Sequence, residues 1–170
     1  MPLGVMRRSR YRVALAAWLT FAAIGCAART PEELLEQRFV GTWELISIYT
    51  RWPDGRVTEP WGAEPIGRLS YGADQRMSAQ LMDARRNQAD GRQVSPELLA
   101  NAASYYGTYS VDTSRRVVTH QVVASLRVNE SGTLERRYEV RGDTLLLTAD
   151  AIFEGEPVTH TLHWRRAVAP

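Results

Sequence analysis

The side chains that could do chemistry in this chain are few, and their spacing is that of strands. His120 shares its alternation with Val118 and Val122. Arg136 falls in step with Tyr138 and Val140, and Tyr109 with Tyr105 and Val111. His160 sits in the last apolar stretch, four residues before Trp164. A polar group on the apolar face of a strand needs a hydrogen bond, a counter-charge, water or a ligand. His120, Arg136, Tyr109, Tyr138 and His160 are therefore the candidate ligand-binding residues, with Arg136 and His120 fixing the polar end of an otherwise apolar molecule. In the plainer alternative, Arg136 extends its stem to reach solvent and His120 bonds a neighbouring strand. An enzymatic reading is also open, an isomerase, hydratase or hydrolase with His120 as general base and Tyr109 or Arg136 stabilising developing charge. No nucleophile–His–acid spacing, glycine-rich phosphate loop or metal motif accompanies it.

Other chemistries are bounded more sharply. His160 and His163 are three apart, so on a strand they point to opposite faces and cannot chelate one ion together. A metal would need His120 and His160 to converge with an acid, and neither metal nor cofactor is expected. All 21 Lys+Arg residues are arginine, which excludes a Schiff-base or general-base lysine. The single cysteine, Cys26, excludes an internal disulfide. The formal charge of +2 includes Arg7, Arg8, Arg10 and Arg12 and would be −2 without them, which gives no electrostatic case for nucleic acid. Arg141-Gly142-Asp143 is explained by a hairpin turn. Met77, Leu81 and Met82 read as core or cavity wall. Trp61, in a proline-containing loop, is either a cap or a ligand contact.

The elements that position these residues begin after an export signal at 1–25. A basic segment ends at Arg12, and an apolar run from Val13 to Gly25 is too short to span a bilayer comfortably. Ala23-Ile24-Gly25-Cys26 resembles a bacterial lipobox, with Ala23 where leucine is usual. Cys26 is then the lipid-attachment residue, and the protein an exported membrane lipoprotein of the bacterial envelope. The alternative is cleavage near Ala28, giving a soluble periplasmic or secreted protein. Residues 26–38 form a tether and short helix, with Thr30 as cap, Pro31 at the first position and Glu33 completing a capping box. Residues 39–168 form one domain.

Within that domain the period is two. Strands are expected at 42–52, 66–71, 76–82, 105–112, 115–126, 133–141, 144–148 and 157–166, with a brief return at 56–59. Ser95-Pro96-Glu97 starts a helix to about Ser104, placed over one end as a plug or lid. Residues 83–93 read as an exposed loop. A two-residue turn at Thr113-Ser114 sets Tyr109 opposite Val118 and Gly107 opposite His120. The apolar face of the second strand then continues through Ala124 and Leu126. A turn at Gly142-Asp143 sets Val140 opposite Leu145 and Tyr138 opposite Leu147, with Arg136 on that face. Regular short strands of this kind argue an all-β barrel or sandwich.

Several segments together resemble the bacterial lipocalin-like domain family, within the calycin group. They are Val40-Gly41-Thr42-Trp43-Glu44-Leu45, Gly67-Arg68-Leu69-Ser70-Tyr71, Met77-Ser78-Ala79-Gln80-Leu81-Met82, Gly107-Thr108-Tyr109 with Asp112, Val118-Thr119-His120, and Trp164-Arg165-Arg166. The resemblance implies an all-β fold, a single antiparallel up-and-down barrel of about eight strands with an apolar-lined cavity. It also implies a first-strand tryptophan packed on a last-strand arginine. Here these are Trp43 and Arg165 or Arg166, with Arg165 adopted as the closing partner. The function expected is binding of a small, largely apolar molecule in the barrel interior, with a membrane held through the lipid anchor. A structural lipoprotein with a filled barrel is the third possibility. Oligomeric state is not legible.

Overall fold

The computed structural model describes residues 30–87, 95–128 and 130–168. The export signal and Cys26 lie outside these residues. Thr30 caps helix α1 (Pro31–Gln37): its Oγ1 accepts from the Glu33 amide at 3.2 Å, and the Glu33 carboxylate accepts from the Thr30 amide at 2.8 Å. This reciprocal pair satisfies two of the donors that a helix N-terminus leaves open.

Nine strands follow: β1 (Gly41–Arg51), β2 (Val57–Thr58), β3 (Ile66–Tyr71), β4 (Arg76–Met82), β5 (Ala102–Asp112), β6 (Val117–Ser125), β7 (Gly132–Arg141), β8 (Thr144–Phe153) and β9 (Glu156–Arg166). Two-residue β2 is a spur on the end of β1, and the other eight close an antiparallel barrel through the β1–β9 pairing. Closure leaves no long sheet edge to be covered.

The closing stitch differs by one residue from expectation. Trp43 lies opposite Arg166, whose guanidinium carbon sits 4.2 Å from the indole ring centre. The same guanidinium donates to the Val40 carbonyl at 2.9 Å and the Arg38 carbonyl at 2.6 Å. Arg165 points the other way, opposite Glu44, whose carboxylate it meets at 3.6 Å outside the barrel. Strand alternation decides the matter, because Trp43 and Trp164 face inward and only Arg166 shares that face. Gly41 has φ +132°, a conformation that favours glycine, and a Cβ there would also push on the Arg166 guanidinium, 2.8 Å away at Nη1.

Two bulges break the alternation. Leu45 pairs with Trp164 and Ser47 with His163, so Ile46 is the extra residue and turns outward, while Ile48 and Thr50 are returned to the interior. In the second, Gly107 pairs with Val122 and Tyr106 with Ala124, leaving Val123 over. Past that bulge Ala124 turns out and Leu126 is 70% exposed, so the inward face does not continue through them as expected. The β5–β6 turn is also longer than expected. Asp112 pairs with Val117, Tyr109 with His120 and Gly107 with Val122, a slip of two residues from the expected register. An even slip leaves every side chain on its expected face. The β7–β8 register is as expected, with Val140 opposite Leu145 and Tyr138 opposite Leu147.

The inserted helix is shorter than the sequence suggests. α2 (Pro96–Ala100) starts under the Ser95 cap, but Ala102 and Ala103 pair with Met82 and Leu81 in β4. Burial of two small residues in the sheet outweighs alanine's helix preference. The stretch after β4 is not wholly exposed either. Asp83 is buried, receives the Arg85 guanidinium and amide, and is met by the Asn101 amide at 3.3 Å. Arg85 holds its carboxyl down at about 2.

Candidate functional site

The barrel interior is filled at one end and hollow at the other. At the filled end Phe39, the residue before β1's approach, stands edge-on to Tyr138 at 4.7 Å and to Tyr71 at 5.7 Å. Tyr71 packs on Tyr109 at 4.5 Å, and the Tyr109 hydroxyl donates to the Gly72 carbonyl at 3.0 Å. Val118 and Leu145 are fully buried in the same layer. Aromatic edge-to-face pairs of this kind contribute about 0.5–1.5 kcal/mol each beyond the area they bury.

His120 lies within this packing, 1% exposed. Its Nε2 is 2.6 Å from the Tyr71 hydroxyl and its Nδ1 is 3.2 Å from the Tyr105 hydroxyl. A neutral imidazole has one donor and one acceptor nitrogen, so one tyrosine donates to the ring and the other accepts from it. Burial, aided by the positive charge of Arg136, pushes the His120 pKa down to about 3. The imidazole is therefore uncharged near neutral pH, occupied on both nitrogens, and absent from the cavity wall. It is a core histidine, poorly placed to take a proton from a substrate.

Beyond His120 the barrel opens into a cavity of about 400 Å³. Its wall is built by residues of seven strands: Ile48, Leu69, Leu81, Ala103 and Tyr105, Leu134 and Arg136, Leu147, and His160, Leu162 and Trp164, with the end of β8 from Ala149 through Asp150, Ala151 and Ile152 to Phe153 forming one side of the rim. Ala103 and Ala149 leave the space that larger side chains would fill. Pro60, Trp61, Arg127 and Glu130 stand at the mouth. Arg127 organises this end. It donates to the Ala102 carbonyl at 2.8 Å and the Ala100 carbonyl at 3.2 Å, lies 5.6 Å over the Trp61 ring, and meets Glu130 at 3.9 Å. No residue of α2 itself lines the cavity, so the cap over the mouth is Trp61 with Arg127, not the helix. A larger depression of about 520 Å³ lies on the outer surface beside Trp52 and Pro157; it is shallow and open, with Arg51, Asp150 and Thr159 among its lining.

Of the five candidate ligand-binding residues, the structure brings Arg136 and His160 to the cavity. His120, Tyr109 and Tyr138 belong to the filled end instead, because the strand positions that face inward also supply the core beneath the hollow. His160 is half-buried, with Nδ1 2.9 Å from the Thr50 hydroxyl; burial, then Arg136 and Arg127, lower its pKa. Burial raises the Tyr105 pKa against the pull of Arg136. Two polar atoms among the described residues are buried without a partner, the Tyr138 hydroxyl and Trp164 Nε1, and Trp164 is in the cavity wall. Tyr105, Trp164 and Arg127 were not among the sequence candidates. For Trp164 and Tyr105 the signal was present, since each alternates in step with a named candidate. Arg127 follows a bulge and a loop, where alternation gives no guide. Among the described residues no three His, Cys, Asp or Glu side chains gather as a metal site would require.

The family model described as a lipocalin-like domain matches residues 40–167. No curated protein matches the chain. Among solved structures, the chain is similar to the siderocalin Ex-FABP, described as functioning through dual ligand specificities. The identity is 9%, over 78% of this chain and 74% of that one, with a TM-score of 0.31.

Proposed function

The chain belongs to the lipocalin-like domain family, a barrel that suggests small-molecule binding, and we propose that its cavity takes up a small, largely apolar molecule. The observation that carries this is the 400 Å³ hollow itself, walled mainly by aliphatic and aromatic side chains and lying above an otherwise close-packed core. Protein interiors are ordinarily filled to the density of organic crystals. A hollow of this size, in the usual range for ligand sites, has a cost in lost contacts that an occupant restores. At ~30 Å³ for each water-sized group it accommodates on the order of a dozen such groups. Arg136 and His160 are the proposed polar contacts, and Trp61 with Arg127 the proposed cover.

We propose further that the protein is exported and anchored. The apolar run ending in Ala23-Ile24-Gly25-Cys26 supports export and lipid attachment at Cys26. Cys26 lies only four residues before the Thr30 cap, which supports a barrel held close to a bacterial envelope membrane. Incorporation of a radiolabelled fatty acid that survives Cys26→Ser substitution would overturn this attachment.

The binding reading is tested by native mass spectrometry of gently purified protein, followed by solvent extraction. A stoichiometric added mass that moves into the organic phase is the expected result. A chain of unliganded mass that also takes up no apolar fluorophore would overturn it.

A further inference from the structure

The seam between β7 and β8 is stitched over only half its length. The two strands pair from the Gly142-Asp143 turn as far as Arg137 and Thr148. Beyond that fork, residues 132–136 of β7 and 149–153 of β8 remain strands but are not paired with each other. Each is held on its other side, β7 by β6 as far as Gly132 and β8 by β9 as far as Phe153. Five residues on each bank make a slot about 16 Å long at the rise of a strand. Alternation says which backbone groups face it. The Tyr138 amide donates to the Arg116 carbonyl on the β6 side at 3.0 Å, so Glu135 and Thr133 turn their backbone groups toward β8. The Glu135 carbonyl is met by the Arg136 guanidinium at 3.0 Å instead of by a strand. On the opposite bank the cavity is lined by every residue from Ala149 to Phe153. A strand within a continuous wall shows a cavity each second residue, whereas one at an opening shows it both its faces.

Among the described residues one ion pair crosses the slot. Outside the barrel the Arg137 guanidinium gives the Asp150 carboxylate two hydrogen bonds, at 2.8 and 3.0 Å, and both side chains are more than half exposed. An exposed pair is a weak tie, and salt weakens it further. Ile152, 72% exposed on the outer face of β8, gives the slot an apolar outer lip. We propose, resting on the binding function above, that the guest passes sideways through the wall between β7 and β8, with Arg137 and Asp150 as the latch and the Arg137–Thr148 pair as the fork about which the strands part. Widening the slot breaks no backbone hydrogen bond between these two strands. Leaving past Trp61 instead displaces Arg127 from the indole and from the Ala100 and Ala102 carbonyls. The side of the barrel therefore yields before its mouth.

The test follows N-phenyl-1-naphthylamine, a neutral apolar fluorophore, into and out of the full chain by stopped-flow fluorescence. Continued from Arg137 and Thr148, the ladder would set Thr133 opposite Ile152, and both side chains are exposed. Thr133→Cys with Ile152→Cys therefore bridges the slot on oxidation, and Cys26→Ser removes the one other thiol. The oxidised protein is expected to take up and release the probe at least tenfold more slowly than the same protein reduced, with Kd within about twofold. Arg137→Gln, which opens the latch, should speed both rates in step by about threefold and leave Kd in place. Trp61→Ala added to the oxidised protein should restore release by uncovering the mouth. Equal rates in the oxidised and reduced forms would overturn the side passage while leaving binding intact. Thiols that stay reduced in the folded protein would overturn it too, because the strands would then never meet. A change of Kd without a change of rate in Arg137→Gln would overturn the latch. A wild type that never binds the probe would overturn the binding function itself.

Discussion

Replacing Arg166 and Arg165 one at a time by methionine asks whether one arginine seals the barrel. Methionine keeps a long flexible stem and removes the charge. In Arg166→Met the Val40 and Arg38 carbonyls lose charge-assisted donors at 2.9 and 2.6 Å, and Trp43 loses the guanidinium 4.2 Å above it. Hydrogen bonds to a charged group contribute roughly 1.5–3 kcal/mol each, and a stacked cation roughly 0.5–2. Some of this is recovered by water at the carbonyls and by the thioether on the indole, so the net loss is about 3 kcal/mol. For a domain of this size it lowers Tm by roughly 6–12 °C. Arg165→Met removes a 3.6 Å contact to Glu44 from a side chain that is 64% exposed. Such a pair contributes at most about 1 kcal/mol. Urea unfolding of both variants, followed by tryptophan fluorescence, provides the comparison. Equal losses in the two variants, or a loss under 1 kcal/mol in Arg166→Met, would refute the assignment of the seal to Arg166.

Acid should weaken the fold before its carboxylates titrate. His120 binds a proton near pH 6.5 when unfolded but only near 3 when folded, so its stabilising contribution is complete above pH 6.5 and is lost as pH falls toward 3. Between pH 7 and 5 this amounts to about 2 kcal/mol, with His160 adding in the same direction, and a His120→Gln variant should show a clearly flatter profile in urea titrations across that window. Gly107→Ala would put a Cβ 2.0 Å from the Gln121 carbonyl oxygen at the β5–β6 bulge, and should cost at least ~3 kcal/mol; the same change at Gly55, where nothing lies within 4 Å, should cost about 1 kcal/mol for its positive φ alone. Trp61→Ala should speed release of a bound apolar fluorophore in stopped-flow chase experiments while changing unfolding stability by less than about 1 kcal/mol.

How much of this was legible depends on how far two-residue alternation carries. It assigned the faces of His120, Arg136 and Tyr138 correctly, even where the β5–β6 register slipped, because a slip of two preserves every face. It failed beyond Val123, since a bulge inserts one residue without a mark in composition and turns Ala124 and Leu126 outward. The arginine partner of Trp43 was within reach of the same rule: His160, Leu162, Trp164 and Arg166 form one alternating set, and Arg165 belongs to the other. The helix from Ser95 was overextended because alanines suit a helix and a tightly packed sheet equally, and pairing with β4 decided between them. Alternation also cannot say how deep an inward residue lies. That is why His120, Tyr109 and Tyr138 appeared as cavity residues and prove to be the floor beneath it.

Binding in the barrel requires an interior that admits a guest, and filling that interior tests it most directly. Ala149→Trp places an indole where a methyl group lines the 400 Å³ hollow. Titration with an apolar fluorophore, alongside urea unfolding of the same protein, should show binding lost or weakened at least tenfold while the barrel remains folded. A folded variant that binds as tightly as the natural chain would contradict the account, because the guest would then sit somewhere else.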